Sequence, residues 1–159
     1  MLSMPSIADV YAKISPYLAE KPGAAAATRL HARILRATGG RISGRVLGVQ
    51  TDVLVLRTVG RRSGKPRDAP MFSLKYKGGF AVVASNGAAT HTPAWWHNLQ
   101  AQPDAEAFVS GKSYPVRARA ASKQEVSELW PRFVEVYNGY EYYRSIATRE
   151  LPVVILEPR

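Results

Sequence analysis

An apolar run leads directly into a basic turn at Val53-Leu54-Val55-Leu56-Arg57-Thr58-Val59-Gly60-Arg61-Arg62-Ser63-Gly64-Lys65-Pro66-Arg67. The apolar run predicts a strand, and the glycines with Pro66 predict a tight turn after it. The eight residues 60–67 hold four cations. Arginine side chains and the N–H groups of a Gly/Ser turn both suit an anion, whereas the alternative is a solvated hairpin tip. Local chemistry does not separate these two interpretations.

Positive charge is concentrated in one part of the 159-residue chain, whose net charge is +10. Residues 21–103 hold 13 Lys/Arg against two acids, Asp52 and Asp68. This asymmetry predicts an anionic partner: a phosphorylated cofactor, an acidic membrane surface or nucleic acid. Nucleic acid is disfavoured, because base-stacking aromatics should interleave with the basic residues, and residues 21–70 contain no aromatic residue.

The length suits one hydrophobic core, and no apolar run is long enough to cross a membrane. The chain lacks cysteine, and its first residues lack the layout of a secretory signal. We therefore expect a cytoplasmic protein, with peripheral contact to the inner membrane face as an alternative.

Short apolar stretches separated by turn signals follow one another after Gly39-Gly40. Strands are predicted at about 46–49, 53–58, 69–76, 80–84, 105–110, 114–120 and 152–157, and helices at 7–18, 24–37, 93–101 and 122–137. Hairpins in sequence predict an antiparallel sheet closing into a small barrel, an α+β fold with peripheral helices. We expect a helical N-terminal extension over 1–45 and a barrel domain over 46–159.

Two helix starts carry capping signals. Thr92 is predicted to cap the third helix with Pro93 at its first position, and Ser122 with Glu125 forms a capping box for the fourth.

The second helix has Leu30, Ile34 and Ala37 on one face and three arginines beside it. This helix is expected to pack on the domain with its arginines in water; the alternative is that it lies on an anionic bilayer.

The usual catalytic signatures are missing from the sequence. The three histidines are scattered, no serine stands in a nucleophile elbow, and neither GxGxxG nor GxxxxGK[ST] occurs. We therefore expect no metal site, and hydrolysis is disfavoured.

Three other segments are candidates for a site. The strand over 82–84 ends in Ser85-Asn86-Gly87, small residues that would let a flat ring approach; an ordinary strand exit is the alternative. Residues 92–99 place two tryptophans at a helix start, and one of them is expected to pack inward with Leu99. Three tyrosines recur at 137, 140 and 143 and would line one side of a helix, either as a pocket or as core packing.

In order and spacing, these segments resemble the deazaflavin-dependent nitroreductase and quinone reductase family, which uses coenzyme F420. The motifs are Thr58 to Arg67, Val82 to Gly87, Pro93-Ala94-Trp95-Trp96-His97-Asn98-Leu99 and Leu151-Pro152-Val153-Val154. The resemblance implies a split β-barrel with the cofactor's phosphate and oligoglutamate tail on the basic turn. It also implies hydride transfer from the reduced deazaflavin to a small electron-poor acceptor such as a quinone, a nitroaromatic or an activated enone.

The resemblance implies a role for each matching residue. Cofactor contacts are expected from Arg61, Arg62, Ser63, Arg67, Asp68, Ala69, Pro70, Val83, Ala84, Ser85, Asn86, Ala94, Trp95, Trp96, His97, Asn98 and Tyr140. Acceptor contacts are expected from Phe72, Tyr137, Tyr140 and Tyr143. Catalytic assistance is expected from Tyr140 or Ser85, which could hydrogen-bond or protonate a developing oxyanion.

Three departures from the family pattern surround the expected pocket: Asn86 stands where lysine is frequent, Ala88 where glycine is usual, and Phe72 where tyrosine occurs in some members. They leave the identity of the acceptor open. An FMN oxidoreductase of the same fold and a non-catalytic deazaflavin carrier remain as alternatives.

Overall fold

The fold is described by a computed structural model that covers residues 5–39 and 51–159. Five α-helices lie in this part of the chain: α1 Ile7–Ala19, α2 Ala24–Ala37, α3 Ala94–Ala101, α4 Lys123–Val136 and α5 Gly139–Ile146. The strands are β1 Val53–Val59, β2 Pro66–Phe72, β3 Leu74–Tyr76, β4 Gly79–Val83, β5 Asp104–Val109, β6 Lys112–Ala120 and β7 Val153–Pro158. The mixed α+β class with peripheral helices is confirmed.

The seven strands form one antiparallel sheet in the order β2-β1-β5-β6-β7-β4-β3. The last strand, β7, pairs with β6 through Ala118 and Leu156 and with β4 through Val82 and Val154. The C-terminal strand therefore joins the β1-β2-β5-β6 group to the β3–β4 hairpin, and the sheet curls into a half-barrel. The stretch expected at 46–49 and the boundary expected between residues 45 and 46 lie outside the described residues, so both stay predictions.

The apolar run over 53–56 is buried on both faces of the sheet. Leu54 and Leu56 join one core cluster, whereas Val53 and Val55 pack with Leu35 of α2 on the other face. Strands β4 and β7 show the same division, because their alternate residues enter the two main clusters. Helices on both sides explain why these strands are continuously apolar.

The stretch expected as one strand over 69–76 is two strands that meet at Ser73. Ser73 is buried, its carbonyl accepts from Thr51 at 2.8 Å, and its hydroxyl donates to the carbonyl of Asp52 at 3.4 Å. These bonds tie the chain to the start of β1 and end the β2 ladder. The first of the two strands also begins earlier than expected, since Pro66 pairs with Val59 at the edge of the sheet, where a missing N–H is tolerated.

One helix boundary and the buried face of one helix differ from the expectation. The capping box of Ser122 and Glu125 is present, but Pro93 is the N-cap of α3, one residue later than expected, and Thr92 makes no cap. In α2 the buried positions are Ala32 and Leu35, whereas Leu30 and Ile34 are exposed. The expected inward face of α2 was therefore wrong.

Candidate active site

The basic turn is closed by its own backbone and is exposed from Arg61 to Arg67. Gly60 donates to the carbonyl of Lys65 at 2.9 Å, and Gly64 donates back to the carbonyl of Gly60 at 2.8 Å. Gly64 has a φ of 65°, a left-handed conformation that glycine adopts without strain. The turn therefore has a defined shape although its side chains lie in solvent.

Asn98 of α3 ties this turn to the body of the protein. Its Oδ1 accepts from the N–H of Arg61 at 3.1 Å, and its Nδ2 donates to the hydroxyl of Thr58 at 3.0 Å. Both Asn98 and Thr58 are buried, so neither amide group nor hydroxyl is left to water. The family resemblance implied a cofactor contact for Asn98, but its side chain is occupied in holding the turn.

The cations of the turn have no acidic partner within the described residues. Arg61, Arg62, Lys65 and Arg67 form no ion pair there, and Arg67 donates only to the hydroxyl of Ser63, at 3.3 Å. Each retains its charge for an external anion. A phosphate with a carboxylate-rich tail fits this donor set, because arginine forks bind both groups in a bidentate manner.

Asp68 lies on the face of β2 opposite to Arg67, since side chains alternate along a strand. Its carboxylate accepts from Arg57 at 2.8 and 2.9 Å and from Arg36 of α2 at 2.9 Å. The carboxylate therefore joins α2 to the sheet, and a cofactor contact from Asp68 would have to come from its main chain. Ala69 and Pro70 follow, half-buried, on the same strand.

Both tryptophans of α3 are half-buried and pack on the core cluster that includes Leu99 and Met71. Their ring centroids are 6.4 Å apart in an edge-to-face arrangement. The expectation that only one of them packs inward was wrong. Of the α3 residues expected to contact the cofactor, Ala94 and His97 are the exposed ones.

The chain after β4 forms a left-handed turn at Asn86, Gly87 and Ala88, whose φ angles are 46°, 59° and 59°. Val83 and Ala84 before it are buried. The N–H of Ala84 donates to Pro152 at 2.8 Å and its carbonyl accepts from Arg149, so its main chain is fully used. Of the four residues expected to contact the cofactor here, Val83 to Asn86, only Ser85 and Asn86 are half-buried. These two are the candidates for backbone contacts to a ligand.

The three predicted tyrosines lie together, but they are buried. Tyr137, Tyr140 and Tyr143 are 2%, 4% and 3% exposed, and the ring of Phe72 lies 5.2 Å from that of Tyr137. The structure thus brings all four predicted acceptor residues together. Tyr137 precedes α5 and the other two lie on it, because the chain breaks at Asn138 as the sequence suggested.

Helix α1 covers this tyrosine cluster, a role that was not anticipated for the N-terminal residues. The Oγ of Ser15 lies 2.5 Å from the hydroxyl of Tyr143, and Gly87 packs against Ser15 on the other side. At the ends of the helix, Asp9 accepts from Asn138 at 2.8 Å, and Glu20 accepts from the backbone and side chain of Thr90 at 2.9 and 2.7 Å. The helix therefore bridges the loop after β4 and α5.

Pro16 leaves the carbonyl of Ala12 without an N–H donor from the helix, and that carbonyl accepts from the Ser15 hydroxyl at 3.3 Å. Ser15 also shares a hydrogen bond with Tyr143, and Tyr143 shares one with Tyr137 over 3.1 Å; in each pair either hydroxyl can be the donor. The hydroxyls of Tyr137 and Tyr143 therefore both have partners within the fold.

Tyr140 is the member of the cluster whose hydroxyl remains available. It packs edge-to-face on Phe133 and Trp130, and its hydroxyl makes no hydrogen bond to a described residue. Burial raises the pKa of Tyr140, which keeps the phenol protonated and able to donate.

Over 5–39 and 51–159, no three His, Asp or Glu side chains converge as they would around a metal ion. None of the helices α1 to α5 has the length and apolarity needed to span a bilayer. The candidate site brings together unpaired cations, backbone donors and phenols.

Comparison with known proteins identifies the family of the chain. A family model described as F420H(2)-dependent quinone reductase matches residues 27–158. The chain belongs to this family. The deazaflavin family inferred from the sequence is thus confirmed, as are the enzyme class, an F420-dependent oxidoreductase, and coenzyme F420 as the cofactor.

Individual relatives agree with the family. The F420H(2)-dependent quinone reductase Rv1261c of Mycobacterium tuberculosis is 35% identical over 134 residues, which cover 82% of this chain and 89% of that protein. A solved F420-H2 dependent reductase, FDR-A, has a TM-score of 0.61 at 32% identity and covers 66% of this chain and 93% of its own. A structure described as a domain-swapped dimer has a TM-score of 0.63 at 30% identity and covers 80% and 94%. These likenesses confirm the split-barrel type.

Replacing Asn98 by alanine should destabilise the protein, because the buried Thr58 hydroxyl and the N–H of Arg61 both lose their partner. We expect the free energy of unfolding in urea to fall by about 1–3 kcal/mol. Gln100→Ala, at an exposed position of the same helix, is the control and should change it by less than about 0.5 kcal/mol. Equal stabilities for the two variants would show that the Asn98 bridge is dispensable.

Proposed function

We propose that this protein reduces quinones with hydride from reduced coenzyme F420, which is held by its anionic end on the basic turn. The observation that carries the proposal is the set of four cations, Arg61, Arg62, Lys65 and Arg67, on a turn of defined shape with no acidic partner among the described residues. Concentrated charge of this kind is costly for folding and is explained by an anionic ligand. Ser63 adds a hydroxyl to the same turn.

The other end of the cofactor is proposed to rest between α3 and the loop after β4. When bound, the reduced deazaflavin supplies the hydride, and the protein contributes orientation, exclusion of water and hydrogen-bond donors. Backbone N–H groups at Ser85 and Asn86 would hold the ring, and the half-buried Trp95 and Trp96 would support α3 beside it. Ala94 and His97, which are exposed on α3, are proposed to contact the cofactor.

The acceptor is proposed to bind against the tyrosines and Phe72, beneath α1. An aromatic, water-poor lining suits a flat quinone, and a protonated phenol stabilises negative charge that develops on its oxygen. Tyr140 is assigned this role because the hydroxyls of Tyr137 and Tyr143 are already hydrogen-bonded to each other and to Ser15. Since its pKa is raised, Tyr140 acts as a hydrogen-bond donor rather than as a base. The Ser85 hydroxyl is the second candidate.

Titration with F420 tests the proposal. Arg62→Ala/Arg67→Ala should weaken F420 binding by about 10- to 100-fold, because charge-assisted hydrogen bonds are lost, and the loss should shrink at high salt. Cofactor and tryptophan fluorescence report binding. The control Lys112→Ala/Lys123→Ala removes the same charge from exposed lysines away from the turn and should leave affinity unchanged.

The titration, combined with an assay of quinone turnover, separates the proposed function from an FMN oxidoreductase and from a non-catalytic carrier. Preference of the wild-type protein for FMN would favour an FMN oxidoreductase, and binding of F420 without turnover of any quinone would favour a carrier. Failure to bind either cofactor would overturn the proposal.

Tyr140→Phe should lower quinone turnover by about 100-fold while leaving the F420 dissociation constant nearly unchanged, because only the donor to the acceptor oxygen is removed. Single-turnover oxidation of F420H2, followed by absorbance, measures the step. Tyr142→Phe on the same helix is the control and should retain activity. If both variants turn over equally, Tyr140 has no part in the chemistry.

We also propose that α1 makes contact with an anionic membrane surface. Its outer face exposes six large apolar side chains to solvent: Ile7, Val10, Tyr11, Ile14, Tyr17 and Leu18. Lys13 and Lys21 lie on the same helix or directly after it, whereas its acids, Asp9 and Glu20, are occupied by hydrogen bonds to Asn138 and Thr90. An apolar stripe with lysines beside it is typical of helices that lie on anionic bilayers.

Ile14→Glu should abolish co-sedimentation with phosphatidylglycerol vesicles, because it places a charge in the centre of the apolar stripe. Binding of the wild-type protein should exceed its binding to phosphatidylcholine by about tenfold, as expected for several basic residues near an anionic surface. Ile146→Glu, at an exposed isoleucine of α5, is the matched control. Equal sedimentation of both variants would exclude α1 as the contact.

A further inference from the structure

Arg149 lies in the segment between α5 and β7 and donates only to backbone carbonyls. Its Nη2 donates to Ser85 at 2.7 Å, its Nε to Ala89 at 3.0 Å, and its Nη1 to Ala84 at 3.2 Å and to Glu150 at 2.9 Å. Three of these four carbonyls belong to the loop after β4. No carboxylate of a described residue pairs with it.

The loop held by Arg149 has a conformation that its sequence does not favour. Three successive residues from Asn86 to Ala88 have positive φ, and two of them carry a Cβ. Left-handed conformations of such residues persist where the surroundings impose them, and they concentrate at functional sites. The planar guanidinium fork supplies that constraint, because it fixes carbonyls on both sides of the turn at once.

While Arg149 holds carbonyls at both ends of the loop, three N–H groups in its middle remain for another partner. Within the described chain no acceptor takes the N–H of Ser85, Asn86 or Gly87. Ser85 is right-handed and Asn86 left-handed, an alternation that gathers successive N–H groups into a concavity for electron-rich atoms. These are the donors that the proposed function assigns to the ring of the cofactor.

We propose that Arg149 is a positioning residue, which shapes the loop over 84–89 so that its free N–H groups bind the deazaflavin ring. The inference rests on the proposed function but concerns a residue that lies outside the site's motifs. Arg149 acts through the loop and does not itself reach the reacting atoms.

The experiment compares F420 affinity in Arg149→Ala, Arg149→Lys and a matched control, Arg132→Ala. Arg132 also donates to a backbone carbonyl, that of Lys75 at 3.2 Å, away from the site. Arg149→Ala should bind F420 about tenfold or more weakly, because only a fraction of its loops are competent to bind. Arg149→Lys should be intermediate, and Arg132→Ala should resemble the wild type.

Two further readouts separate positioning from general stability. Millimolar guanidinium should restore F420 binding in Arg149→Ala and have no effect on Arg132→Ala. Amide exchange at Ala88 and Ala89, whose N–H groups are hydrogen-bonded within the loop, should accelerate in Arg149→Ala and Arg149→Lys, while exchange in β7 remains slow.

Each outcome bears on one of the two proposals. Wild-type affinity in Arg149→Ala, or weak binding that guanidinium does not restore in a folded variant, would overturn the role of Arg149 and leave the proposed function intact. Absence of F420 binding in the wild-type protein would overturn the proposed function, and the role of Arg149 with it.

Discussion

The backbone pairing of β7 is the constraint on which the arrangement of the site depends. This strand lies between β6 and β4 in the sheet, so it joins the β3–β4 hairpin to the strands that carry the basic turn. Its pairing with β4 also brings the segment before β7 against the loop after β4, because antiparallel neighbours place the end of one strand beside the start of the other. Arg149 reaches three carbonyls of that loop as a result.

The arginines of this protein fall into two groups, those paired with an acid inside the fold and those without an acidic partner among the described residues. Arg57 and Arg36 are neutralised by Asp68 inside the structure, where the ion pairs join α2 to the sheet. The arginines of the basic turn, a few residues away along the chain, have no acidic partner among the described residues, and the turn is held by backbone bonds, the Ser63 hydroxyl and Asn98. A turn that is rigid while its charges remain free is preorganised for an anion, since little order is lost on binding.

Much of this was predictable because it depends on neighbours in the chain. The run over 53–56, the glycine turn after it and the capping box at Ser122 were correct. The errors arose where distant groups intervene. The strand expected over 69–76 is divided at Ser73 by bonds to residues 51 and 52, and α2 turns Leu35 inward because Val53 and Val55 lie opposite it. The tyrosine spacing was visible, but periodicity cannot show that Ser15 would cover it.

The sequence by itself determined the fold class, since strand patterns and turn chemistry are local properties of a chain, and its motifs resembled the family that the comparison confirmed. It also predicted the basic turn as an anion site. The tertiary structure decided which of the predicted residues are still available to a ligand. Asn98, Asp68 and Ala84 are occupied by internal partners, the hydroxyl of Tyr140 has no partner among the described residues, and Arg149, which belongs to no motif, holds the loop after β4. The physical reason is that hydrogen bonds between residues far apart in sequence form only when the sheet brings them together.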